Sequence, residues 1–224
     1  MNNITMLLLW SALFLNMPSE GKITREQIIE NAEEYRNLEW QMYSRNYLKQ
    51  CTKPVYIKTP FKSDSTITIA GMPYCWGGGS TIDKFTQAIA DSGKAGNICT
   101  TLEDGKTRNT YQGNTYGVDC SGFVTRVWEL NEEHRGTTQL QSYCEVIEDS
   151  PKKNDRFDKL KMGDIIIKPK AHVYLFYKIN TKGEIEVFHS TTGDNNKIVF
   201  DTIPLGKLNG YVTWRYKYVD DQKK

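Results

Sequence analysis

Asp119-Cys120-Ser121-Gly122-Phe123-Val124-Thr125-Arg126-Val127-Trp128 is the stretch from which the rest of this chain can be read. Cys120, Phe123, Val124, Val127 and Trp128 fall at i, i+3, i+4, i+7 and i+8, the spacing of one apolar face of a helix. Ser121, Thr125, Arg126 and Glu129 fall on the other side. The pattern predicts a helix that begins at Cys120 and packs inward, with the small residues Ser121 and Gly122 leaving the front of the thiol uncovered. Unpaired backbone N–H groups and the helix dipole favour negative charge at such a position, so a thiol shifted towards thiolate is expected. A cysteine on an apolar face is also an ordinary core residue or half of a disulfide. What separates these readings is whether a base lies within reach.

The chain has three histidines. His172 opens the β-branched and aromatic run His172-Val173-Tyr174-Leu175-Phe176-Tyr177-Lys178-Ile179, and His189 lies in a second such run, Glu184-Ile185-Glu186-Val187-Phe188-His189-Ser190. Asn180-Thr181-Lys182-Gly183 between them is a turn signal, which predicts an antiparallel hairpin. An even-length loop without a bulge places both imidazoles on one face. A loop centred between Asn180 and Thr181 sets them directly opposite; one centred a residue later leaves them diagonal. A thiol, a base and a group that orients the base make a nucleophilic triad. His172, which opens its strand, is the candidate base, and His189 the orienter. Two structural histidines, or half of a metal site, are the competing readings. No C-x-x-C or H-E-x-x-H spacing completes a zinc site, so neither a metal nor a cofactor is expected. His134, in a polar stretch before Gly136, is expected at the surface.

These residues resemble, in order, the motifs of NlpC-type cell-wall cysteine peptidases. The matching segments are Pro73-Tyr74-Cys75-Trp76-Gly77-Gly78, Asp119-Cys120-Ser121-Gly122-Phe123-Val124, Gly163-Asp164-Ile165-Ile166, His172-Val173 and Phe188-His189-Ser190-Thr191. The resemblance covers residues 65–215. It implies an α+β fold with a papain-like core, in which a cysteine-bearing helix packs on an antiparallel sheet or half-barrel carrying the histidines, here with an N-terminal helical extension. It also implies Cys120 as nucleophile, His172 as base and His189 as orienter. Tyr74 would lie near the thiol, its hydroxyl joining the Cys120 N–H as a donor to the oxyanion. Many such enzymes cut between D-γ-glutamyl and the following diamino acid, reading the free amine of the preceding L-alanine with residues that match Asp119, Ser121 and Tyr74. Asp119 equally reads as a plain helix cap, and the two roles are compatible. The implied partners are peptidoglycan stem peptides and muropeptides. An N-acyl amidase or acyltransferase on the same core, and an inactive wall-binding module, are the alternatives. One departure is an insert, residues 79–117, between the tyrosine segment and the nucleophile. Residues 81–90 read as a helix and 93–117 as a long loop, expected to form a wall or lid of the cleft.

The length of 224 residues suits one domain with a sizeable core plus an N-terminal extension. The apolar run from Met6 to Leu15 has the size of a signal-peptide core, so residues 1–20 are read as a signal peptide and the protein as secreted or periplasmic. No cysteine follows that run closely, and no stable membrane anchor is expected. Residues 21–60 then form the helical extension and 61–219 the catalytic domain. Thr24-Arg25-Glu26-Gln27 resembles a capping box opening a helix that runs to about Tyr43 and packs on the main domain. Besides Cys120, the cysteines Cys51, Cys75, Cys99 and Cys144 allow two disulfides or free buried thiols. A net charge of +2 with mixed signs gives no basic stripe for nucleic acid. Residues 197–200 and 210–216 read as further strands, and the tail from Asp220 to Lys224 is expected to fray.

Overall fold

The computed structural model describes residues 22–46, 65–97, 100–101, 107–108, 113–131, 135–148, 157–192 and 196–221. The expected signal peptide, His134, Cys51 and Cys99 lie outside them. Strand β1 (Ile23–Thr24) leads into helix α1 (Arg25–Asn37), where the Thr24 hydroxyl accepts from the Gln27 N–H at 3.1 Å. Ile28, Ala32 and Tyr35 form the buried stripe of α1. The helix stops at Asn37 and does not reach Tyr43. From Glu39 onward the burial period becomes two, with Trp40 and Met42 inside and Glu39 and Gln41 outside, and strand β2 (Glu39–Tyr43) pairs antiparallel with β3 (Thr66–Ala70).

Helix α2 (Ile82–Ala90) is capped by Thr81, within the stretch read as helical. The region read as a loop contains four two-residue strands: β4 (Lys94–Ala95), β5 (Thr100–Thr101), β6 (Thr107–Arg108) and β7 (Thr115–Tyr116). Strand β4 pairs with β7 and β5 with β6. Helix α3 (Cys120–Val127) and the short α4 (Thr137–Leu140) follow. Next come strands β8 (Cys144–Glu148), β9 (Ile165–Lys168), β10 (His172–Ile179), β11 (Ile185–Ser190), β12 (Ile198–Ile203) and β13 (Val212–Tyr216). They form one antiparallel sheet in the order β12-β11-β10-β9-β13-β8, so the fold is a mixed α+β one.

The main core lies on one face of this sheet. Ile28 and Ala32 of α1 and Phe123, Val124 and Val127 of α3 meet Ile165, Ile167, Val173, Leu175 and Phe188 there. Trp128 stacks on Tyr216 with centroids 4.7 Å apart, and its indole N–H donates to the Gly163 carbonyl at 3.3 Å. The other face carries a smaller core that includes Phe157, Ile166, Phe176, Val187 and Leu208. Helix α1 is thus part of the principal core, packing on the main domain as its apolar positions predict.

Asp164, fully buried, joins three parts of the chain. Its carboxylate accepts from Arg25 at 3.0 Å, from Arg215 at 2.7 and 3.1 Å, and from the Lys161 N–H at 2.8 Å. Arg25 also pairs with Asp221 at 2.6 Å, and β14 (Val219–Asp220) lies parallel to β1. The expectation of a frayed tail is therefore corrected for Asp220 and Asp221. Beside Asp164, Gly163 has φ +87, and a Cβ there would come within 3.1 Å of Ile28, so a side chain would disturb the seat of α1. Truncating one partner of a buried charge cluster leaves the others uncompensated, at a cost of about 3–5 kcal/mol. Asp164→Ala should therefore lower the thermal midpoint by on the order of 10 °C. A change below about 2 °C in a calorimetric scan would show that the two arginines find water instead.

Candidate active site

Asp119 determines where helix α3 begins. Its Oδ1 accepts from the Gly122 N–H at 2.7 Å and the Ser121 hydroxyl at 2.9 Å, and its Oδ2 accepts from the Gly77 N–H at 3.1 Å. The carboxylate therefore acts as the helix cap and ties the loop after Tyr74 to the head of the helix. Val118, just before the cap, is threaded through the same segment. Its N–H donates to the Pro73 carbonyl at 3.0 Å, and its carbonyl accepts from the Cys75 N–H at 3.1 Å and the Ser190 hydroxyl at 2.8 Å. Gly117 has φ +143, and a Cβ there would collide with the Pro73 carbonyl oxygen, so this close approach needs glycine. The apolar stripe of α3 is buried as its spacing predicts, but Ser121, Gly122 and Thr125 are buried too. Cys120 itself is largely buried, beside Asp119, Tyr74 and Gly77 in the lining of a cleft.

The hairpin places the two histidines on one face, as diagonal neighbours. Leu175 pairs with Phe188 and Phe176 with Val187, but beyond a bulge at Tyr177 the pairs become Lys178 with Glu186 and Ile179 with Ile185. By that register Tyr174 falls opposite His189, and His172 lies two residues further along the same face. The His172 Nε2 and His189 Nδ1 are 2.9 Å apart, with ring centroids at 5.0 Å and planes at 86°. Tyr174 packs edge-on to His172 at 4.6 Å and tilted on His189 at 4.9 Å. On its far side, the His189 Nε2 faces the Asp201 carboxylate of β12 at 3.7 Å. Cys120 reaches this strand as well, because the Val173 N–H, one peptide from His172, hydrogen-bonds its sulfur.

A cleft of about 250 Å³ opens over the thiol. Tyr74, Trp76, Asp119, Cys120 and Ser121 line one part of it, and Gly136, Thr137, Lys170 and Ala171 the other. None of the described residues of the 79–117 insert lines it; among the described residues its far wall comes from the turn before α4 and the turn before His172. Lys170 holds φ +61, and its N–H donates to the Thr137 hydroxyl at 2.9 Å, which joins these two turns. Trp76 remains 39% exposed at the rim. Cys75 and Cys144 are buried free thiols, Cys75 facing the Thr115 hydroxyl and Cys144 the Leu140 carbonyl. Among the described residues, no cluster of His, Cys, Asp and Glu is placed to hold a metal ion. No protein-family model and no curated protein matches the chain.

Burial dominates the electrostatics of the site. The Cys120 thiol is pushed up to about 12 by desolvation, with the Asp119 carboxylate adding to the rise and hydrogen bonds from Val173 and Ser121 opposing it. His172 is pushed down to about 3 by desolvation and by His189, against a small opposing pull from Asp119. His189 is lowered to about 4 by burial. The Tyr74 hydroxyl is held protonated, again chiefly by burial, with Cys120, Asp119 and Cys75 contributing. Burial thus favours a protonated thiol and two neutral imidazoles in the resting site. The thiolate expected from the helix start is overturned, because burial and the capping carboxylate outweigh the N-terminal partial charge of an eight-residue helix.

Iodoacetamide should therefore alkylate Cys120 at pH 7 more slowly than it alkylates an unstructured cysteine. A faster reaction with a midpoint below pH 7 would establish a resting thiolate. The histidines also link stability to acid. Unfolded imidazoles bind protons below about 6.5, whereas folded His172 and His189 resist protonation down to about 3 and 4, so the fold loses stability as pH falls through that window. Denaturant titrations at pH 7 and pH 5 should show the loss, and His189→Gln should reduce it.

Proposed function

We propose that this chain is a secreted cysteine peptidase that hydrolyses peptidoglycan stem peptides, cutting between D-γ-glutamyl and the following diamino acid, on a papain-like core. The observation that carries the reading is the 2.9 Å contact between His172 and His189, with the Val173 N–H, next to His172, meeting the sulfur of Cys120, which lines an open cleft. The core reading rests on a cysteine at the head of a helix packed on an antiparallel sheet that carries both histidines. Secretion rests on the apolar run from Met6 to Leu15.

The neutral resting pair makes the reaction a general-base attack. With Nε2 engaged by His189, His172 presents Nδ1 to the thiol. That nitrogen takes the Sγ proton as sulfur adds to the amide carbon. The Cys120 N–H and the protonated Tyr74 hydroxyl donate to the oxyanion. The His172 imidazolium then passes its proton to the leaving nitrogen, the C–N bond breaks, and a thioester remains on Cys120. His172 next deprotonates a water that attacks the thioester, and returns the proton to the departing sulfur. His189 holds the ring of His172 throughout.

The charges lining the cleft suit such a substrate. Asp119, Ser121 and Tyr74 form an acceptor-rich corner for a free L-alanine amine. The Asp119 carboxylate lines the cleft beside Ser121 and Tyr74, and a carboxylate is the natural partner of an ammonium. Across the cleft, Lys170 suits the free α-carboxylate that a γ-linked glutamate keeps beside the scissile bond.

Cys120→Ala should remove all release of diamino-acid peptides from purified muropeptides, followed by mass spectrometry, and leave the thermal midpoint within a few degrees. Residual cleavage in that variant would exclude Cys120 as the nucleophile. Acetylating the substrate's N-terminal amine should lower kcat/KM by about tenfold, the worth of one charge-assisted hydrogen bond. Equal rates on both substrates would retain the peptidase and remove the amine-reading role of Asp119.

A further inference from the structure

The proton arrangement of the histidine pair is not decided by the 2.9 Å contact itself, since either ring can be the donor. If His189 carries its proton on Nδ1, it donates to the His172 Nε2, and His172 must then hold its own proton on Nδ1. That ring would present N–H to the thiol and could not accept a proton from it. If His189 carries its proton on Nε2, its Nδ1 accepts from His172 Nε2–H, and the His172 Nδ1 is a free base. The chemistry of the site therefore depends on what lies against the far nitrogen of His189.

That nitrogen is buried and has no hydrogen-bond partner among the described residues. Among the described residues, the charged group paired with it is the Asp201 carboxylate, at 3.7 Å. Asp201 sits diagonally across the β11–β12 ladder, opposite Val187, while His189 is opposite Val199. Its other oxygen is fixed, with Oδ1 accepting from the Thr202 N–H at 2.7 Å, so Oδ2 is the oxygen directed at the ring. A lone pair on the buried His189 Nε2 would face a carboxylate, whereas an N–H there is attracted to it, although the half-exposed Asp201 side chain keeps part of its hydration.

We propose that Asp201 is a positioning residue that fixes the proton of His189 on Nε2 and thereby leaves Nδ1 of His172 free to take the thiol proton. The relay runs from Asp201 through His189 and His172 to Cys120. No proton needs to travel along it. Asp201 keeps its charge, His189 keeps its Nε2 proton, and only the Cys120 proton moves, to the His172 Nδ1. Sequence spacing gives no hint of Asp201, because it lies on a third strand and touches neither the thiol nor the cleft. Its catalytic consequence rests on the peptidase reading above, but its effect on the tautomers does not.

The tautomers can be read directly, because the full chain has three histidines. Long-range ¹H–¹⁵N correlation spectra of histidine-labelled protein at pH 7, assigned with His134→Gln and His172→Gln, separate protonated from bare ring nitrogens. Both His172 and His189 should carry the proton on Nε2. Asp201→Ala should bring a substantial Nδ1-protonated population to His189, and Asp201→Asn, whose amide oxygen still accepts, should retain the wild-type pattern. On muropeptides, Asp201→Ala should lower kcat by about tenfold at unchanged KM, the usual scale for removing an outer orienting group. A wild-type His189 protonated on Nδ1, or an Asp201→Ala spectrum identical to wild type, would overturn the assignment. If the tautomers behave as stated while no muropeptide is cut, the relay stands and the peptidase reading falls.

Discussion

One carboxylate, that of Asp119, holds the site together. It closes the first turn of helix α3, so it fixes the direction in which Cys120 leaves the backbone. It also binds the Gly77 N–H, which brings in the segment carrying Tyr74 and Trp76. Further ties run through Val118, the residue just before the cap, to Pro73 and Cys75 of that segment and to Ser190 of β11. A helix, a loop and the end of strand β11 thus meet at two consecutive residues. An exposed cap is worth about 1 kcal/mol, but here the Ser121 and Gly122 donors are buried and would be left without a partner if the carboxylate were removed.

The same carboxylate opposes the property that a helix start would confer on a thiol. Partial positive charge at a helix N-terminus is worth a fraction of a kcal/mol to about 2, while complete burial shifts an ionisable group by several pKa units. With a negative neighbour added, the balance goes to the protonated thiol. The imidazoles follow the same logic with the opposite sign, since burial removes protons from bases and keeps them on acids. In the proposed reaction, charge separation is therefore deferred until a substrate carbonyl meets the prearranged donors.

Much of this was legible from residue spacing because it is local. The stripe from Cys120 to Trp128 and the pair of β-branched runs around Asn180-Thr181-Lys182-Gly183 each sit within one element, where periodicity speaks directly. Two things were not legible, for different reasons. Glu39–Tyr43 continues a helical apolar pattern on paper, and only its pairing with Thr66–Ala70 selects the period of two. Tertiary contact overrides propensity there. Thr137, Lys170 and Asp201 reach the site from three separate segments, and no spacing in the chain links them. Lys170 had one faint signal, its place two residues before the candidate base. The direction of the thiol shift was also out of reach, because it depends on how much protein surrounds the sulfur rather than on which residues adjoin it.

The bulge at Tyr177 separates two properties of the hairpin that would otherwise be locked together. Five residues, Asn180 to Glu184, connect the last strand pair, an odd loop that in an unbroken ladder would throw His172 and His189 onto opposite faces. The extra residue at Tyr177 restores the parity before the histidines are reached. Turn length and imidazole geometry are therefore independently adjustable in this architecture. Chains that build the same pair of rings can carry tips of either parity, provided the strand gains or sheds one bulge in compensation.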